Sequence, residues 1–258
     1  MSTLIYKEEN GVAFISLNRP KVFNSFNREM ALELQNKLDA IEKNENIRAI
    51  YLTGEGKAFC AGQDLAEATA PDGPELTKIV DEHYNPIIEK LRNIEKPIVG
   101  AINGVAAGAG ANIALACDIC VARDSASIIQ AFSKIGLIPD SGGTFFLPRI
   151  IGFQKAAALM MLADNINGKE AEEMGMIYKS FADDEFEEAS KKIAFKLAKM
   201  PTKGIGLTKR ALNQSLTNNL TEQLELEKVI QAEAGSSYDF KEGVNAFLEK
   251  RKPEFKGK

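Results

Sequence analysis

The chain has 258 residues, a formal net charge of −4 and 45% hydrophobic residues. This length fits one large domain or a domain with an appendage, and the hydrophobic content supports a sizeable core. The balance of 32 basic and 36 acidic residues argues against bulk binding of nucleic acid or an anionic membrane, since both require a basic face. No signal-like run and no stretch of about 18 apolar residues occurs. We therefore expect a cytoplasmic protein, or one of an organelle matrix if an address has been removed.

Cysteine and histidine offer little for metal or nucleophilic chemistry. The three cysteines do not make a disulfide framework, and the pair Cys117 and Cys120 has apolar neighbours and no second pair. We interpret them as buried thiols. Any Ser-His-Asp or Cys-His arrangement would depend on His83, the only histidine, which we interpret as a packing or surface residue. No metal site is predicted.

In chain order, the pattern begins with a hairpin at 3–8 and 12–18, joined by a Glu-Asn-Gly turn. Helical spacing follows at 28–42, and 54–73 is a loop rich in Gly, Ala and Pro. A helix over 75–94 is predicted, with a possible bend at Pro86. Further strands are expected at 47–53, 97–102 and 118–122, and further helices at 109–116, 142–151 and 154–162. Strands that alternate with helices indicate an α/β core with mainly parallel pairing.

From residue 184 onward the pattern is helical throughout. Helices are predicted at 186–199, 204–214, 220–234 and 239–251, with Pro201 separating the first from the others. We therefore divide the chain into a core domain, 1–198, and a helical C-terminal module, 199–258.

One carboxylate stands out in the stretch 131–149, AFSKIGLIPDSGGTFFLPR. Asp140 lies there among apolar residues, and a buried charge is costly unless it is paired, hydrogen-bonded or shifted in pKa. It could cap a helix that begins near Gly142, or it could take part in catalysis.

Two stretches of small residues, 54–65 and 103–118, could present bare backbone N–H groups to a ligand. Two such donors aimed at one point would stabilise a developing oxyanion, for instance on a thioester carbonyl. The alternative is that small residues only allow tight helix–strand packing. Neither stretch fits the Walker spacing or the dinucleotide fingerprint.

Several motifs in order resemble the crotonase, or enoyl-CoA hydratase/isomerase, superfamily over essentially the whole chain. They are LNRP with NSFN, AFCAGQDL, NGVAAGAG with ACDI, and IGLIPDSGGT. Within the superfamily, FCAGQDL, HYNPIIEKL and the ending EGVNAFLEKRKPEFKGK are similar to the 1,2-epoxyphenylacetyl-CoA isomerase branch. The resemblance implies a spiral of β-β-α units, a helical C-terminal trimerisation module, and a homotrimer or hexamer.

The resemblance also implies an acyl-CoA ligand whose thioester oxygen is held by the backbone amides of Gln63 and Ala109. The CoA moiety would lie against the loop formed by Ala61, Gly62, Gln63, Asp64 and Leu65. Lys57 is a candidate phosphate partner, although an exposed lysine is usually only solvated. Tyr84 and Asn85 are candidates for the acyl pocket, with structural packing as the alternative.

The chain departs from the family pattern where hydratases carry two glutamates. Those positions fall on Asn112 and Phe132, which are expected to line the acyl pocket but cannot deprotonate water. Asp140 remains, at a position where isomerases of the superfamily often carry an acid.

We therefore predict an acyl-CoA isomerase that works through an enolate, with Asp140 as the acid/base and CoA present only as part of the substrate. The preferred substrate is the ring epoxide of phenylacetyl-CoA. A Δ3,Δ2-enoyl-CoA isomerase or a hydratase is the alternative, and a non-catalytic CoA- or RNA-binding scaffold is the alternative of another class. No metal or redox cofactor is implied.

Overall fold

The computed structural model describes residues 2–258 as mixed α/β structure on two sheets. The larger sheet has six strands in the order β1-β2-β3-β5-β7-β10, in which β1 and β2 pair antiparallel and the other neighbours pair parallel. The hairpin turn holds Asn10 and Gly11 at φ of 50° and 78°, which suits the Asn-Gly sequence. The strands of the larger sheet are β1 (Leu4–Glu9), β2 (Val12–Leu17), β3 (Ala49–Gly54), β5 (Ile98–Ile102), β7 (Ile119–Arg123) and β10 (Lys179–Phe181).

The smaller sheet has four strands of three residues each, in the order β4-β6-β8-β9. Three times, a strand of the large sheet is followed by one of the small sheet and then by helical structure. This repeated order agrees with the expected crotonase-like spiral of β-β-α units, so the predicted fold class is confirmed. The short strands are β4 (Ala58–Cys60), β6 (Val105–Ala107), β8 (Ser127–Ile129) and β9 (Asn165–Asn167).

Twelve α-helices surround the sheets within residues 2–258. The first, α1, buries Met30, Leu34, Leu38 and Ile41 on one face, and its N-terminus is capped by the Asn27 side chain. No helix among these residues is both long and apolar enough to span a membrane. The helices are α1 (Arg28–Lys43), α2 (Leu65–Ala68), α3 (Leu76–Ile79), α4 (Asn85–Asn93), α5 (Ala109–Leu115), α6 (Gly143–Ile151), α7 (Phe153–Leu162), α8 (Gly168–Glu173), α9 (Phe186–Ala198), α10 (Thr202–Ser215), α11 (Leu220–Gly235) and α12 (Tyr238–Leu248).

The helix predicted over 75–94 differs from the structure. It consists of α3, a π-helical segment Val80–Tyr84, and α4, which has Pro86 in its first turn. Proline has no N–H to donate backwards along the helix, and the Glu82 carbonyl accepts the Gln35 side-chain amide at 2.8 Å instead. The stretch 54–73, predicted as a loop, also contains β4 and α2.

The last three helices follow Pro201, as predicted, and close contacts fasten them to the sheet region. Arg48 donates to the hydroxyl of Thr202 at 3.0 Å and to the carbonyl of Phe255 at 2.7 Å. The carboxylate of Asp239 accepts the backbone amides of Lys256 and Gly257 at 2.6 and 2.8 Å, so the C-terminal tail is also tied down. The division at residues 198 and 199 remains a prediction.

Candidate active site

A cavity of about 230 Å³ lies where three segments of the chain converge. The segments are the loop after β4, the start of α5, and the stretch from the 3-10 helix Ala131–Ile135 to Asp140. The π-helical segment and α3 close another side. The cavity is lined by Ala61, Gly62, Gln63, Leu65, Ala68, Leu76, Ile79, Val80, Tyr84, Gly108, Ala109, Ala131, Phe132, Lys134, Ile135, Leu137 and Asp140.

Two of the backbone amides on this lining that have no acceptor within residues 2–258 lie on adjoining segments. They belong to Gln63, in the loop after β4, and Ala109, the first residue of α5. The backbones of the two segments approach closely. A Cβ added at Gly62 would lie 3.0 Å from the Ala107 carbonyl oxygen and 3.6 Å from the Ala109 nitrogen. Gly62 has φ of +90°, which disfavours any side chain there. Two free donors on one small cavity can stabilise an oxyanion.

Asp140 is the acid of this cavity. Burial raises the pKa of its carboxyl above the usual range, against the effect of a 2.8 Å hydrogen bond that Ser141 donates to Oδ1. No lysine, arginine or histidine among residues 2–258 forms an ion pair with it. The helix-cap alternative does not describe it, since α6 begins after Gly142 without a side-chain cap.

The stretch 131–149 carries three phenylalanines near Asp140 in sequence, but only one of them lines its cavity. Phe132 lines the cavity, but Phe145 and Phe146 do not. Those two rings lie on α6 and contact each other edge to face, with centroids 5.2 Å apart. The rest of the apolar wall comes from aliphatic side chains of the loops, α3 and the π-helical segment.

Tyr84 lines the cavity and is also a buried packing residue. Its hydroxyl donates to Oε1 of Gln63 at 2.8 Å, and its ring lies 5.9 Å from that of Phe26. Burial raises the pKa of this phenol well above its ordinary value. Asn85 lies outside this cavity and lines a more open groove, which borders Asp140 on another side.

Asn112, predicted as an acyl-pocket residue, does not line the cavity. Its side chain donates a hydrogen bond of 2.9 Å to the backbone carbonyl of Asp140 and accepts one of 2.8 Å from Gln130. The position of a hydratase glutamate is thus occupied by an amide engaged in internal hydrogen bonds. The sequence could not have shown this, because residues 112 and 140 meet only in the folded chain.

The residues expected to contact CoA are not all at the cavity. Ala61, Gly62, Gln63 and Leu65 line it. Asp64 instead caps α2 and pairs with Arg19 at 2.8 Å. Lys57 is exposed and lies outside the cavity lining, so its role as a phosphate partner remains a prediction.

Lys134 lines the cavity and was missed by the sequence analysis, because a single lysine carries no pattern.

The histidine and the three cysteines, for which no chemistry was predicted, are buried. His83 has 0% exposure, and burial lowers the pKa of its imidazole. Burial raises the pKa of the Cys117 thiol to about 12, which removes thiolate character. Within residues 2–258, no group of three or more His, Cys, Asp or Glu side chains is placed to hold a metal ion.

Comparison with known proteins identifies the family. Residues 7–258 match the model of the enoyl-CoA hydratase/isomerase family. The chain is 45% identical over 261 residues to 1,2-epoxyphenylacetyl-CoA isomerase of Escherichia coli, with 100% of both chains covered. It is 43% identical to a probable enoyl-CoA hydratase of Rhodobacter capsulatus, with 99% of this chain and 98% of the relative covered.

The solved structures agree with the family match. A putative enoyl-CoA hydratase/isomerase from Mycobacterium abscessus superposes with a TM-score of 0.93 at 37% identity, over 99% of this chain and 100% of the other. The loop after β4, the start of α5 and the segment that carries Asp140 all lie within the matched residues. The chain therefore belongs to the enoyl-CoA hydratase/isomerase family of enzymes.

Proposed function

We propose that this enzyme is an acyl-CoA isomerase that works through a thioester enolate. The observation that carries the proposal is that Asp140, which has no cation partner within residues 2–258, shares a cavity of about 230 Å³ with the free amides of Gln63 and Ala109. An acid/base and an oxyanion site on one cavity are the two parts that such a reaction requires.

In the proposed reaction, the two amides hold the thioester oxygen while Asp140 removes the proton from the carbon next to the carbonyl. The electron pair of the C–H bond moves into the enolate, and its negative charge is stabilised on the oxygen. Asp140 then returns the proton to another carbon of the same molecule. Substrate and product have the same composition and oxidation level, so the reaction needs no external oxidant or reductant.

The substrate we propose is 2-(1,2-epoxy-1,2-dihydrophenyl)acetyl-CoA, which the enzyme would rearrange to the oxepin thioester. The bond between the two epoxide carbons breaks and its electron pair joins the ring double bonds, while the oxygen stays bonded to both carbons. The proton that leaves the side-chain carbon is returned to a ring carbon. The similarity to the E. coli isomerase supports this substrate, and the mainly apolar wall of the cavity suits a ring. A Δ3-to-Δ2 enoyl-CoA shift uses the same proton transfer and is the second candidate. In both reactions CoA would lie along the loop Ala61–Leu65, with Lys57 as a candidate phosphate partner.

Hydration is disfavoured by the two positions that replace the hydratase glutamates. Asn112 has both ends of its amide engaged, and Phe132 presents a hydrocarbon ring to the cavity. Neither side chain can take a proton from an attacking water. The retained Asp140 in turn argues against a non-catalytic scaffold.

The test is turnover of a panel of acyl-CoA thioesters by the wild type and Asp140→Asn. We expect the variant to lose about 10²–10⁴-fold in kcat while its affinity for acyl-CoA stays within a few-fold. Crotonyl-CoA serves as the control substrate, because a hydratase would convert it efficiently to 3-hydroxybutyryl-CoA. Full activity of Asp140→Asn, or efficient hydration, would contradict the proposal.

We also propose a homotrimer or hexamer. Large apolar side chains are exposed on the last helices, including Leu220 at 75% and Phe247 at 83%, and on α7, where Met161 is 74% exposed. Surfaces of this kind usually mark contacts with another chain. Light scattering at micromolar concentration should give three or six times the mass of one chain, and a monomer would contradict this assembly.

A further inference from the structure

Asn112 connects the two halves of the candidate site. It lies one helical turn after Ala109 on α5 and is 1% exposed. Its Nδ2 donates 2.9 Å to the backbone carbonyl of Asp140, and its Oδ1 accepts 2.8 Å from Nε2 of Gln130. The helix that carries one oxyanion donor is thus bonded directly to the residue that carries the carboxylate.

The Asp140 carbonyl determines which way both amides point. A carbonyl oxygen can only accept, so Asn112 must direct its NH₂ group to Asp140 and its oxygen to Gln130. Gln130 must then present its own NH₂ group, and its Oε1 has no partner within residues 2–258. An unmet acceptor on a side chain only 2% exposed is costly. The two hydrogen bonds that link Gln130 through Asn112 to the Asp140 carbonyl, called the relay below, are present despite that cost.

The backbone after Asp140 is strained and needs support. Ser141 has φ of +51°, a left-handed backbone conformation that residues other than glycine rarely adopt, and Gly142 follows with φ of +73°. The amide of Gly143 donates 2.8 Å to the same Asp140 carbonyl. A Cβ at Gly143 would collide with the Asn112 amide. These contacts leave little room for the Asp140 backbone to shift while the amide of Asn112 stays in place.

We propose that Asn112 and Gln130 are positioning residues that fix the Asp140 carboxylate relative to the oxyanion amides. The effect on turnover rests on the proposed function, whereas the geometry can be tested without it. A displacement of about 1 Å in an active site can cost about 10²-fold in rate. Loss of the Asn112 donor should therefore lower kcat and leave KM for the acyl-CoA within a few-fold.

Two near-isosteric variants separate positioning from general damage. Asn112→Leu cannot donate at any pH, and we expect its kcat to fall about 10²-fold across the pH range. Asn112→Asp can donate only while its carboxyl is protonated. The ratio of its kcat to that of the wild type should therefore be highest at acid pH and fall as the new carboxyl ionises. Wild-type kcat in Asn112→Leu, or a ratio for Asn112→Asp that does not change with pH, would overturn the proposal.

Gln130→Met provides a milder variant in case both changes at position 112 prevent folding. It removes the donor to Asn112 together with the unpartnered oxygen, and we expect about a ten-fold lower kcat. Ser190→Ala is the matched control, because it removes the hydrogen bonds of a buried hydroxyl, 2.8 Å to Tyr51 and 3.2 Å to the Glu187 carbonyl, on the other face of the large sheet. Its kcat per folded molecule should equal that of the wild type. Wild-type kcat in Gln130→Met would contradict the relay.

The crystal structure of Asn112→Leu is a readout that does not depend on turnover. We expect the Asp140 carboxylate to be displaced relative to the amides of Gln63 and Ala109. An unmoved carboxylate would overturn the positioning role. If the wild type turns over none of the acyl-CoA thioesters, the proposed function fails, but this structure still decides the geometry.

Discussion

Two partly buried aspartates, Asp118 and Asp140, are held in opposite ways. Asp118 accepts from Lys209 Nζ and the Ile98 amide, each at 2.9 Å, and from Arg92 at 3.3 Å. Asp140 has one side-chain donor, Ser141, and no cation. The first arrangement fastens helix α10 to the core, because Lys209 also donates to the Leu91 carbonyl. The second leaves a carboxyl that can bind and release a proton. The hydrogen-bond and ion-pair partners of each carboxylate, rather than its burial alone, distinguish the structural aspartate from the one proposed for catalysis.

The largest effect on stability is expected at the paired aspartate. Asp118→Asn leaves the Lys209 ammonium, in a side chain only 5% exposed, without its main counter-charge. Breaking one partner of a buried pair typically costs about 3–5 kcal/mol, and we expect a loss of this size in urea unfolding. Turnover per folded molecule should not change.

The double variant Asp118→Asn, Lys209→Met is the control for this prediction. It removes both charges, so we expect it to recover part of the lost free energy of unfolding. A single variant as stable as the wild type would mean that the ion pair contributes nothing to the attachment of α10.

A smaller effect of opposite sign is expected at Asp140. Its pKa is raised in the folded state, so the folded state binds a proton more tightly than the unfolded state. The carboxyl therefore favours folding below the ordinary aspartate pKa, and this contribution is lost as pH rises through the raised value. Asp140→Asn should match or exceed the wild type in stability at neutral pH.

This gain should shrink when unfolding is repeated at acid pH, because Asp140 is then protonated in both states. The same titration should appear in turnover, since the base must be ionised. In the pH profile of kcat, the acid limb should lie at a higher pH than the ordinary pKa of an aspartate would give. A variant that is less stable than the wild type at neutral pH would contradict the assignment.

The smallest effect is expected at Ser141. Its hydroxyl lowers the pKa of Asp140 by donating to the ionised form, so Ser141→Ala should raise that pKa further. We expect the acid limb of kcat to move to higher pH, with a few-fold loss at acid pH and an unchanged plateau. An acid limb that stays in place would show that this hydrogen bond does not tune the base.

Local signals predicted the larger elements of the fold. The Glu-Asn-Gly turn indicated the first hairpin, and apolar spacing indicated a helix at 28–42, close to the observed Arg28–Lys43. The four strands of the small sheet have three residues each, which is too short for a period to be visible. They form because segments distant in sequence pair with one another, as when β4 pairs with β6.

The candidate site was predictable where a motif carried it. Gln63 and Ala109 came from family motifs, Asp140 from its apolar setting together with its position in the family, and all three line the cavity. Asn112 was expected at the same cavity but holds the Asp140 backbone instead. Its contact spans 28 residues of sequence, and nothing at either position indicates the other. The Lys209–Asp118 pair spans 91 residues and was missed for the same reason.

The anchored C-terminal tail has a practical consequence for handling the protein. Arg48 and Asp239 hold the backbone of Phe255, Lys256 and Gly257, and the Lys258 carbonyl accepts the Asp239 amide at 3.1 Å. An affinity tag fused after Lys258 would have to leave from a segment that is bonded to the protein. We expect such a fusion to compete with these contacts and the tag to be poorly accessible to an affinity resin.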